Sequence, residues 1–261
     1  MIFNLTQPLI SSVPVLGKDF TWSGSDGTCL VIDDGGGNWR IKFLSSGVFT
    51  PLKKMTIDAF YVGGGAAGCF DSKGAQGGAG GYTLTVKRIE LSANTEYQIV
   101  VGAGGTFVYR TTSNGGSIGN GGGSSSAFGF SANGGEENTY RLSLTVGSGG
   151  CGGAYVNTSG TKVNGGSDGS NGGNGSTGQG TTTREFGEPN GDLYSGGGAA
   201  YYNSAYNASN GEGGGKYVNG PQPGEANKGG GGCGTGTAAS GGSASGGSGI
   251  VIIRKHKEAA A

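Results

Sequence analysis

Charge is scarce in this sequence, and neither sign prevails. Charged residues make up 13% of the 261 residues, with 17 Lys and Arg against 17 Asp and Glu. No basic stripe is visible, so electrostatics gives no reason to expect nucleic acid or an anionic membrane as a partner. We expect a largely polar, uncharged surface and no nucleic-acid binding.

Long hydrophobic runs are also missing. No apolar stretch approaches the about 20 residues that a membrane-spanning helix needs. The first residues, MIFNLTQPLISSVPVLG, have no basic segment and no unbroken apolar core. We therefore expect neither a signal peptide nor insertion into a membrane.

Groups suited to catalysis are few and isolated. The single histidine, His256, lies in the charged tail RKHKE and is interpreted as part of a solvated chain end. Cys29, Cys69, Cys151 and Cys233 have no C-x-x-C spacing and no histidine partners, which argues against a disulfide scaffold or a zinc site. We predict that the cysteines are small buried residues, although the last three are equally spaced, which leaves open a repeating arrangement. No nucleophile has a visible partner, so no enzyme is predicted.

One glycine pattern looks like a cofactor fingerprint. In FYVGGGAAGCF, Gly63, Gly65 and Gly68 have dinucleotide-binding spacing, and Glu90 follows where a ribose-binding carboxylate would be expected. That site needs a helix over residues 66–81, which hold six glycines, each costing about 1 kcal/mol relative to alanine in a helix. The helix is not expected to form, and no cofactor is predicted.

Two acidic stretches could suggest calcium loops. Asp33 and Asp34 precede GGGN, and a second candidate is GGSDGSNGGNG. Neither repeats the acidic ligands that such loops use. Turns explain both stretches more simply, and no metal is predicted.

Glycine is the abundant residue. The chain has 64 glycines without a Gly-X-Y period, which excludes collagen. It also has 10 Phe, 11 Tyr and 2 Trp, and its apolar residues cluster in strand-like runs, unlike a disordered chain. At least part of the chain should fold.

The pattern along the chain predicts a small β module followed by a glycine-rich domain. Residues 1–48 are expected to form the module, for attachment or oligomerisation, with strands at 28–33 and 39–44. Residues 49–255 form the domain, and 256–261 a charged and alanine-rich tail. Three strands near 55–62, 82–91 and 96–101 suggest an antiparallel sheet, which the strand at 249–255 would close. One further strand is expected at 140–146.

Glycine tracts whose ends are held in a sheet can form polyglycine II helices. Such a helix has no internal hydrogen bonds, but packed helices can bond to each other because glycine lets their backbones approach. We predict an all-β fold, an antiparallel sheet or β-sandwich that anchors a bundle of packed polyglycine II helices. Flexible glycine-serine spacers are the alternative.

Several stretches together resemble a known family of domains. They are NWRIKFLSSGVFTP, TIDAFYVGGG, GGAGGYT, YQIVVGAGG, GGGSSSAFG, SANGG and GGSGIVIIR. Over about residues 39–254 the chain resembles the glycine-rich domains of bacteriophage tail proteins. A similar domain occurs in some animal receptor kinases, but those have a signal peptide and a membrane helix, which are not expected here. The resemblance implies a tail protein of the virion whose loops between polyglycine II helices contact a bacterial surface receptor, and whose partners include other tail proteins.

We therefore hypothesise a non-enzymatic receptor-binding protein. Tyrosine and asparagine offer amphipathic contact area at low entropic cost, and residues 199–210 rank first. An alternative role for the rings is to cap the bundle by stacking on each other. A structural spacer and an ice-binding protein remain other possible functions, and the oligomeric state, including a homo-oligomer, stays open. The candidate receptor-binding residues are Phe107, Tyr109, Arg110, Tyr155, Asn157, Tyr201, Tyr202, Tyr206 and Tyr217.

Overall fold

The computed structural model describes residues 12–71, 74–110, 116–141, 143–145, 147–173, 175–236 and 242–256. Strands account for 37% of the residues and helix for 1%, so the fold is all-β, as the sequence predicted. A single turn of 3-10 helix at Glu185–Gly187 is the helical element of the described chain. The strands are β1 (Phe20–Trp22), β2 (Cys29–Gly35), β3 (Asn38–Phe43), β4 (Gly47–Pro51), β5 (Met55–Val62), β6 (Cys69–Asp71), β7 (Gly74–Gln76), β8 (Thr83–Leu91), β9 (Tyr97–Ile99), β10 (Phe107–Arg110), β11 (Gly116–Gly119), β12 (Ser125–Ala127), β13 (Phe130–Ala132), β14 (Asn138–Arg141), β15 (Ser143–Thr145), β16 (Tyr155–Asn157), β17 (Lys162–Val163), β18 (Ala200–Tyr201), β19 (Asn207–Ala208), β20 (Gly234–Thr235) and β21 (Ile250–Lys255).

A β-sandwich forms one end of the molecule. Its larger sheet has the strand order β2-β3-β21-β5-β8 and is antiparallel throughout, and its smaller sheet has the order β1-β4-β9. In β3, alternate residues Trp39, Ile41 and Phe43 are buried in the core between the sheets. This alternation is what a strand with one face toward a core requires. The core also contains Phe20, Phe49, Met55, Ile57, Ala59, Tyr61, Leu91, Ile99, Val251 and Ile253.

The other face of the larger sheet is covered as well. Phe60 and Ile252 project to this side, where Phe186 and Tyr194 of the loop after residue 182 pack against them. The ring centroids of Phe60 and Tyr194 are 5.3 Å apart. Residues 59–62 of β5 and 250–253 of β21 are buried on both faces of the sheet, and these two segments are accordingly continuous apolar runs rather than alternating ones.

Strands β2 and β3, which lie before residue 48, belong to the larger sheet and do not form a separate module. β3 pairs with β2 on one side and with β21 on the other, so Phe43 lies opposite both Cys29 and Val251. The expected boundary at residue 48 therefore does not coincide with a break in the structure. Local strand patterns could not show this, because the partner of β3 lies at the far end of the chain.

The three early strands also divide between two sheets. β8 pairs with β5 as expected, whereas β9 pairs with β4 in the smaller sheet. The turn at residues 92–96 therefore connects the larger sheet to the smaller sheet instead of joining two neighbouring strands of one sheet. This connection buries Ile99 on the side facing Leu91 and Ile57.

The glycine tracts form a hydrogen-bonded bundle. Along tract 63–68, successive N–H groups bond to three different neighbouring tracts, and every third residue returns to the same neighbour. This threefold repeat is the geometry of a polyglycine II helix. The donor and acceptor pairs are Gly63 to Tyr82 and Ala66 to Ala79, Gly64 to Gly123 and Ala67 to Asn120, and Gly65 to Gly247 and Gly68 to Ala244, with N to O distances of 2.8–3.0 Å.

The carbonyl groups of the same tract face three further neighbours. The oxygens of Gly64, Gly65 and Ala66 accept N–H groups from Gly135, Gly105 and Gly232, at 2.9, 2.8 and 2.8 Å. One helix is therefore bonded to six others, which satisfies its buried backbone. The prediction of a packed polyglycine II bundle is confirmed.

Only glycine fits at the contacts between these helices. A Cβ atom on Gly65 would overlap the carbonyl group of Gly230, and one on Gly64 would overlap that of Ala103. The neighbouring backbones cannot retreat without breaking their own hydrogen bonds. Glycine is thus required here for close approach and not for an unusual dihedral angle.

The strand expected at 140–146 is a hairpin instead. β14 and β15 pair with each other, with Tyr140 opposite Leu144 and Arg141 opposite Ser143. β14 also pairs with β11. The two strands therefore satisfy part of each other's backbone hydrogen bonds.

The interpretation of His256 as a solvated chain end is wrong. Its backbone N–H donates to the carbonyl of Thr56, and its Nδ1 lies 2.5 Å from Oδ1 of Asp58. Asp58 is 1% exposed and also accepts from Nε of Arg254 at 3.1 Å and from the Arg88 N–H. Residues 257–261 lie outside the described part of the chain.

The pKa of Asp58 is set by two opposing effects. Burial raises it, whereas the hydrogen bonds from His256, from the Arg88 N–H and from Arg254 lower it, and the net pKa is below the ordinary value. The folded state therefore favours the carboxylate. The stabilisation is present above the unfolded pKa and is lost as the pH falls through the folded pKa.

Two adjacent glycines test the close-packing requirement. A Cβ on Gly122 would overlap the Gly64 carbonyl group, whereas one on Gly123 would lie 3.2 Å from its nearest neighbour, the Ala103 nitrogen. We expect Gly122→Ala to lower the free energy of unfolding by about 1–3 kcal/mol or more, and Gly123→Ala to change it by less than about 1 kcal/mol. Urea unfolding of both variants measures the difference, and equal tolerance would refute the packing argument.

The pH dependence of stability tests the Asp58 network. Asp58→Asn should reduce stability at pH 7 by about 3–5 kcal/mol, because Arg254 and His256 lose their buried carboxylate partner, and the carboxylate that stays in contact with Arg254, that of Glu188, is exposed. It should also flatten the fall in the free energy of unfolding that the parent shows between about pH 5 and pH 2. Urea titrations across this range make the comparison. The exposed Asp26 provides the control, since Asp26→Asn should leave the profile unchanged.

Candidate functional site

The tracts are joined at one end of the bundle by short hairpins. β5 continues into tract 63–68, which turns through β6 and β7 and returns along 77–81 to β8. β9 and β12 frame a second such excursion, and the tract that follows β20 returns to β21. The turns therefore lie at the end away from the sandwich. We call this end the distal face; it comprises β6–β7, β10–β11, β14–β15, β16–β17, β18–β19 and residues 216–222 and 234–236.

The distal hairpins form small sheets with each other. β16 extends the β6–β7 hairpin, with Tyr155 opposite Gln76, and β18 lies between β19 and β20. Asn138 anchors β14 below them, because its Nδ2 donates to the carbonyls of Ala67 and Gly77 at 3.2 and 3.0 Å. The turns are thus positioned by backbone pairing on a hydrogen-bonded base.

All nine candidate residues from the sequence lie on this face. Phe107, Tyr109 and Arg110 lie in β10, Tyr155 and Asn157 in β16, and Tyr201 in β18, while Tyr202, Tyr206 and Tyr217 lie in the adjoining turns. Of Tyr109 and Arg110 the structure gives the strand position alone. Sequence reasoning located the residues, whereas their convergence on one face follows from the topology.

Two of the nine have roles inside the face. Tyr155 is 7% exposed and packs within the bundle. Asn157 shapes its own turn, because its Oδ1 accepts the N–H groups of Ser159 and Thr161 at 3.0 and 2.9 Å. These residues support the surface on which the other aromatic rings lie.

Four of the tyrosines are half-buried against neighbouring hairpins: Tyr201, Tyr202, Tyr206 and Tyr217. Tyr201 and Tyr217 stack with their ring centroids 3.6 Å apart and their planes 4° from parallel. Tyr206 lies over the turn of the next hairpin, where a Cβ on Gly160 would be 3.2 Å from its Cε1. Tyr202 packs in the same way on Gly236. Glycines of one hairpin thus make room for rings of another.

Phe107 continues this arrangement at the other side of the face. Its ring centroid is 6.0 Å from that of Phe70 in β6. A Cβ on Gly242 would lie 3.0 Å from its Cε1. The aromatic residues therefore tie four separate hairpins and tracts together.

Sequence reasoning missed two features of this face. The first is a set of exposed valines, Val108, Val163 and Val218, which are 37%, 40% and 58% exposed. The second is a groove of about 370 Å³ between the β16–β17 and β18–β19 hairpins, lined by Lys162, Asn164, Asn207 and Ser209. The two sides of the groove are about 45 residues apart in sequence, so no local pattern could reveal it.

A second cleft, of about 380 Å³, lies beside the sandwich. Its charged groups neutralise each other: Arg40 contacts Asp34 and Glu185, Lys42 contacts Glu185, and Arg254 contacts Glu188. The hydrogen bonds that Arg40 donates to Asp34 and Glu185 raise its pKa despite partial burial. These pairs hold the loop after residue 182 on the sheet.

Three of the four cysteines, Cys69, Cys151 and Cys233, are buried as predicted, whereas Cys29 is only partly buried. Burial raises the pKa of Cys29 and Cys233 to about 12, and that of Cys151 to about 11. They are therefore protonated at neutral pH. Cys151 lies on tract 147–154 beside Gly80, whereas Cys69 lies in a distal hairpin. The equal spacing of the last three cysteines in the sequence therefore does not place Cys69 and Cys151 at equivalent positions in the structure.

The described parts of the chain contain neither a metal-binding cluster nor a membrane-spanning helix. No group of three His, Cys, Asp or Glu residues there could hold a metal ion. No described helix is both long enough and apolar enough to span a membrane.

A family comparison agrees with this architecture. A model of the glycine-rich domain family matches residues 44–256, most of the chain. The chain belongs to the glycine-rich domain family. The glycine-rich domain match begins just after β3, although β2 and β3 complete the sheet of β21. A search of curated proteins gave no match.

The stacked tyrosines allow a direct measurement of cohesion within the distal face of the glycine-rich domain. An aromatic pair is worth about 0.5–1.5 kcal/mol beyond the area it buries. We expect Tyr201→Ala and Tyr217→Ala to be non-additive, with a coupling energy of that size in a double-mutant cycle by urea unfolding. Pairing Tyr201→Ala with Phe107→Ala gives the control. Additive effects at Tyr201 and Tyr217 would show that the stack contributes no cohesion.

Proposed function

We propose that this glycine-rich domain protein is a bacteriophage tail receptor-binding protein. It would act in the virion, attached to other tail proteins, and recognise a surface receptor of a bacterial host without catalysing a reaction. The observation that carries the proposal is the position of all nine candidate residues on the distal face. The resemblance of the sequence to phage tail domains supports it.

The division of the molecule into two ends also favours recognition. The bundle is held by backbone hydrogen bonds, so it presents the distal hairpins without depending on their side chains. Tyr202, Tyr206 and Tyr217 are partly exposed, and Val108 and Val218 add apolar contact area. Rigid aromatic anchors of this kind provide binding area at low entropic cost.

A structural spacer is the competing function. It is favoured by the packing of Tyr206 on Gly160 and Tyr202 on Gly236, because these contacts give the rings a purpose without any ligand. Under this alternative the distal face only seals the end of the bundle. Binding and stability measurements on the same variants separate the two functions.

Cell binding tests the receptor-binding proposal. The variant Tyr201→Ser, Tyr202→Ser, Tyr206→Ser should lose saturable binding to a susceptible bacterial strain, measured with the labelled full-length protein over a strain panel. Phe130→Ser, which changes an exposed ring outside the distal face, is the matched control and should bind normally. Circular dichroism verifies that both variants are folded. Unchanged binding of a folded triple variant would exclude residues 199–210 as the contact region and favour the spacer.

A further inference from the structure

The groove between the β16–β17 and β18–β19 hairpins is built by a specific junction. The N–H of Ser209 donates to Oδ1 of Asn164 at 3.1 Å, and the carbonyl of Ser209 accepts the N–H of Gly165 at 2.8 Å. These two bonds fasten the returning strands of the hairpins to each other. The side chains of Lys162 and Asn207 stand on opposite walls beyond the junction.

Several polar atoms of the groove have no partner. Asn207 donates its Nδ2 to the carbonyl of Ser204, which leaves Oδ1 available, and Asn164 accepts through Oδ1, which leaves Nδ2 available. Within the described residues, the Ser209 hydroxyl and the Lys162 ammonium make no hydrogen bond or ion pair. The groove therefore offers several hydrogen-bond donors and acceptors close to each other, together with the positive charge of Lys162.

An aromatic ring lies next to the residues that line the groove. Tyr206 directly precedes Asn207 and lies over Gly160, in the turn that leads to Lys162. The ring is partly exposed, so one of its surfaces is accessible beside the polar atoms. Hydroxyl-rich ligands with C–H faces, which are saccharides, match an arrangement of amides, a hydroxyl and an aromatic ring.

The charge of the distal face indicates which saccharides. The chain has no net charge, yet the described part of this face contains four basic residues and one acidic residue, Asp71. Because the topology gathers bases that are far apart in sequence, the sequence alone shows no basic patch. Glu136 and Glu137 belong to the tract that precedes β14, and Glu212 belongs to the tract that follows β19. The four basic residues are Arg110, Arg141, Lys162 and Lys216.

We infer that the groove lined by Lys162, Asn164, Asn207 and Ser209 binds an acidic saccharide of the bacterial surface. The Lys162 ammonium contacts the carboxylate or phosphate, the asparagine side chains and Ser209 bond to hydroxyl groups, and Tyr206 contacts the ring. The excess positive charge of the distal face attracts such anions and accelerates their capture. This inference rests on the proposed receptor-binding function and names its ligand class.

Titration with defined saccharides tests the ligand class directly. The probes are an oligogalacturonate, a phosphorylated oligosaccharide and a neutral maltooligosaccharide of equal length, titrated into the full-length protein by calorimetry. We expect the two anionic probes to bind and the neutral one to bind at least about tenfold more weakly, as the loss of a charge-assisted hydrogen bond implies. The anionic probe that binds more tightly shows whether the natural ligand carries a carboxylate or a phosphate. Binding should weaken as salt is raised.

Two lysine variants distinguish the groove from the general charge of the face. Lys162→Gln should lower the affinity for the anionic probes by about tenfold or more. Lys216→Gln, which removes the same charge outside the groove, should lower it much less. Both side chains are exposed, so neither change should affect folding. Equal effects of the two variants, or no binding of any anionic probe, would overturn the inference.

Cell assays separate failure of this inference from failure of the proposed function. If binding to bacteria is saturable but survives Lys162→Gln and excess anionic probe, the receptor-binding function stands and the saccharide inference falls. Loss of binding after protease treatment of the cells, with periodate treatment harmless, would likewise overturn it in favour of a protein receptor. If no bacterium is bound, the proposed function fails, and calorimetry alone decides whether the groove binds acidic saccharides.

Discussion

The structure depends on backbone hydrogen bonds between glycine helices that lie too close for any side chain. Tract 63–68 donates to three neighbours and accepts from three more, and a Cβ at Gly65 would occupy the space of the Gly230 carbonyl. Each bond contributes only about 1 kcal/mol net, while ordering glycine is entropically expensive. The array is therefore stable only when many bonds form together, and the sandwich makes this possible by fixing the tract ends.

The sandwich and the bundle are consequently stabilised by different interactions. Apolar burial in β3, β5 and β21 provides a conventional core, and the sheet brings β21, from the end of the chain, between β3 and β5. The glycine helices between them need no side-chain core. Most side chains of the distal hairpins are therefore not needed to stabilise the bundle. Asn138 and Tyr155 are exceptions.

The sequence revealed the local elements well and the long-range arrangement poorly. Strand-forming runs identify β5, β8 and β21 almost to the residue, and the glycine tracts indicate polyglycine II helices because no other regular structure tolerates them. The role of β3 as a neighbour of β21, the hairpin at β14 and β15, and the burial of His256 against Asp58 all depend on partners distant in sequence. The aromatic candidates were visible as residue types, whereas the groove exists only where Asn164 meets Ser209.

The regular repeat of the bundle raises the question of what prevents one glycine helix from shifting along its axis relative to its neighbours. A helix without side chains that repeats every three residues looks the same after a shift by one turn, and such a screw displacement would restore most of its hydrogen bonds. Register must therefore be fixed by a few side chains that break the symmetry. The hydroxyl of Ser125 donates to the Val62 carbonyl and accepts from Gly102, and Asn138 spans two tracts. These polar groups fix the register of tracts that are otherwise built from a repeating glycine pattern.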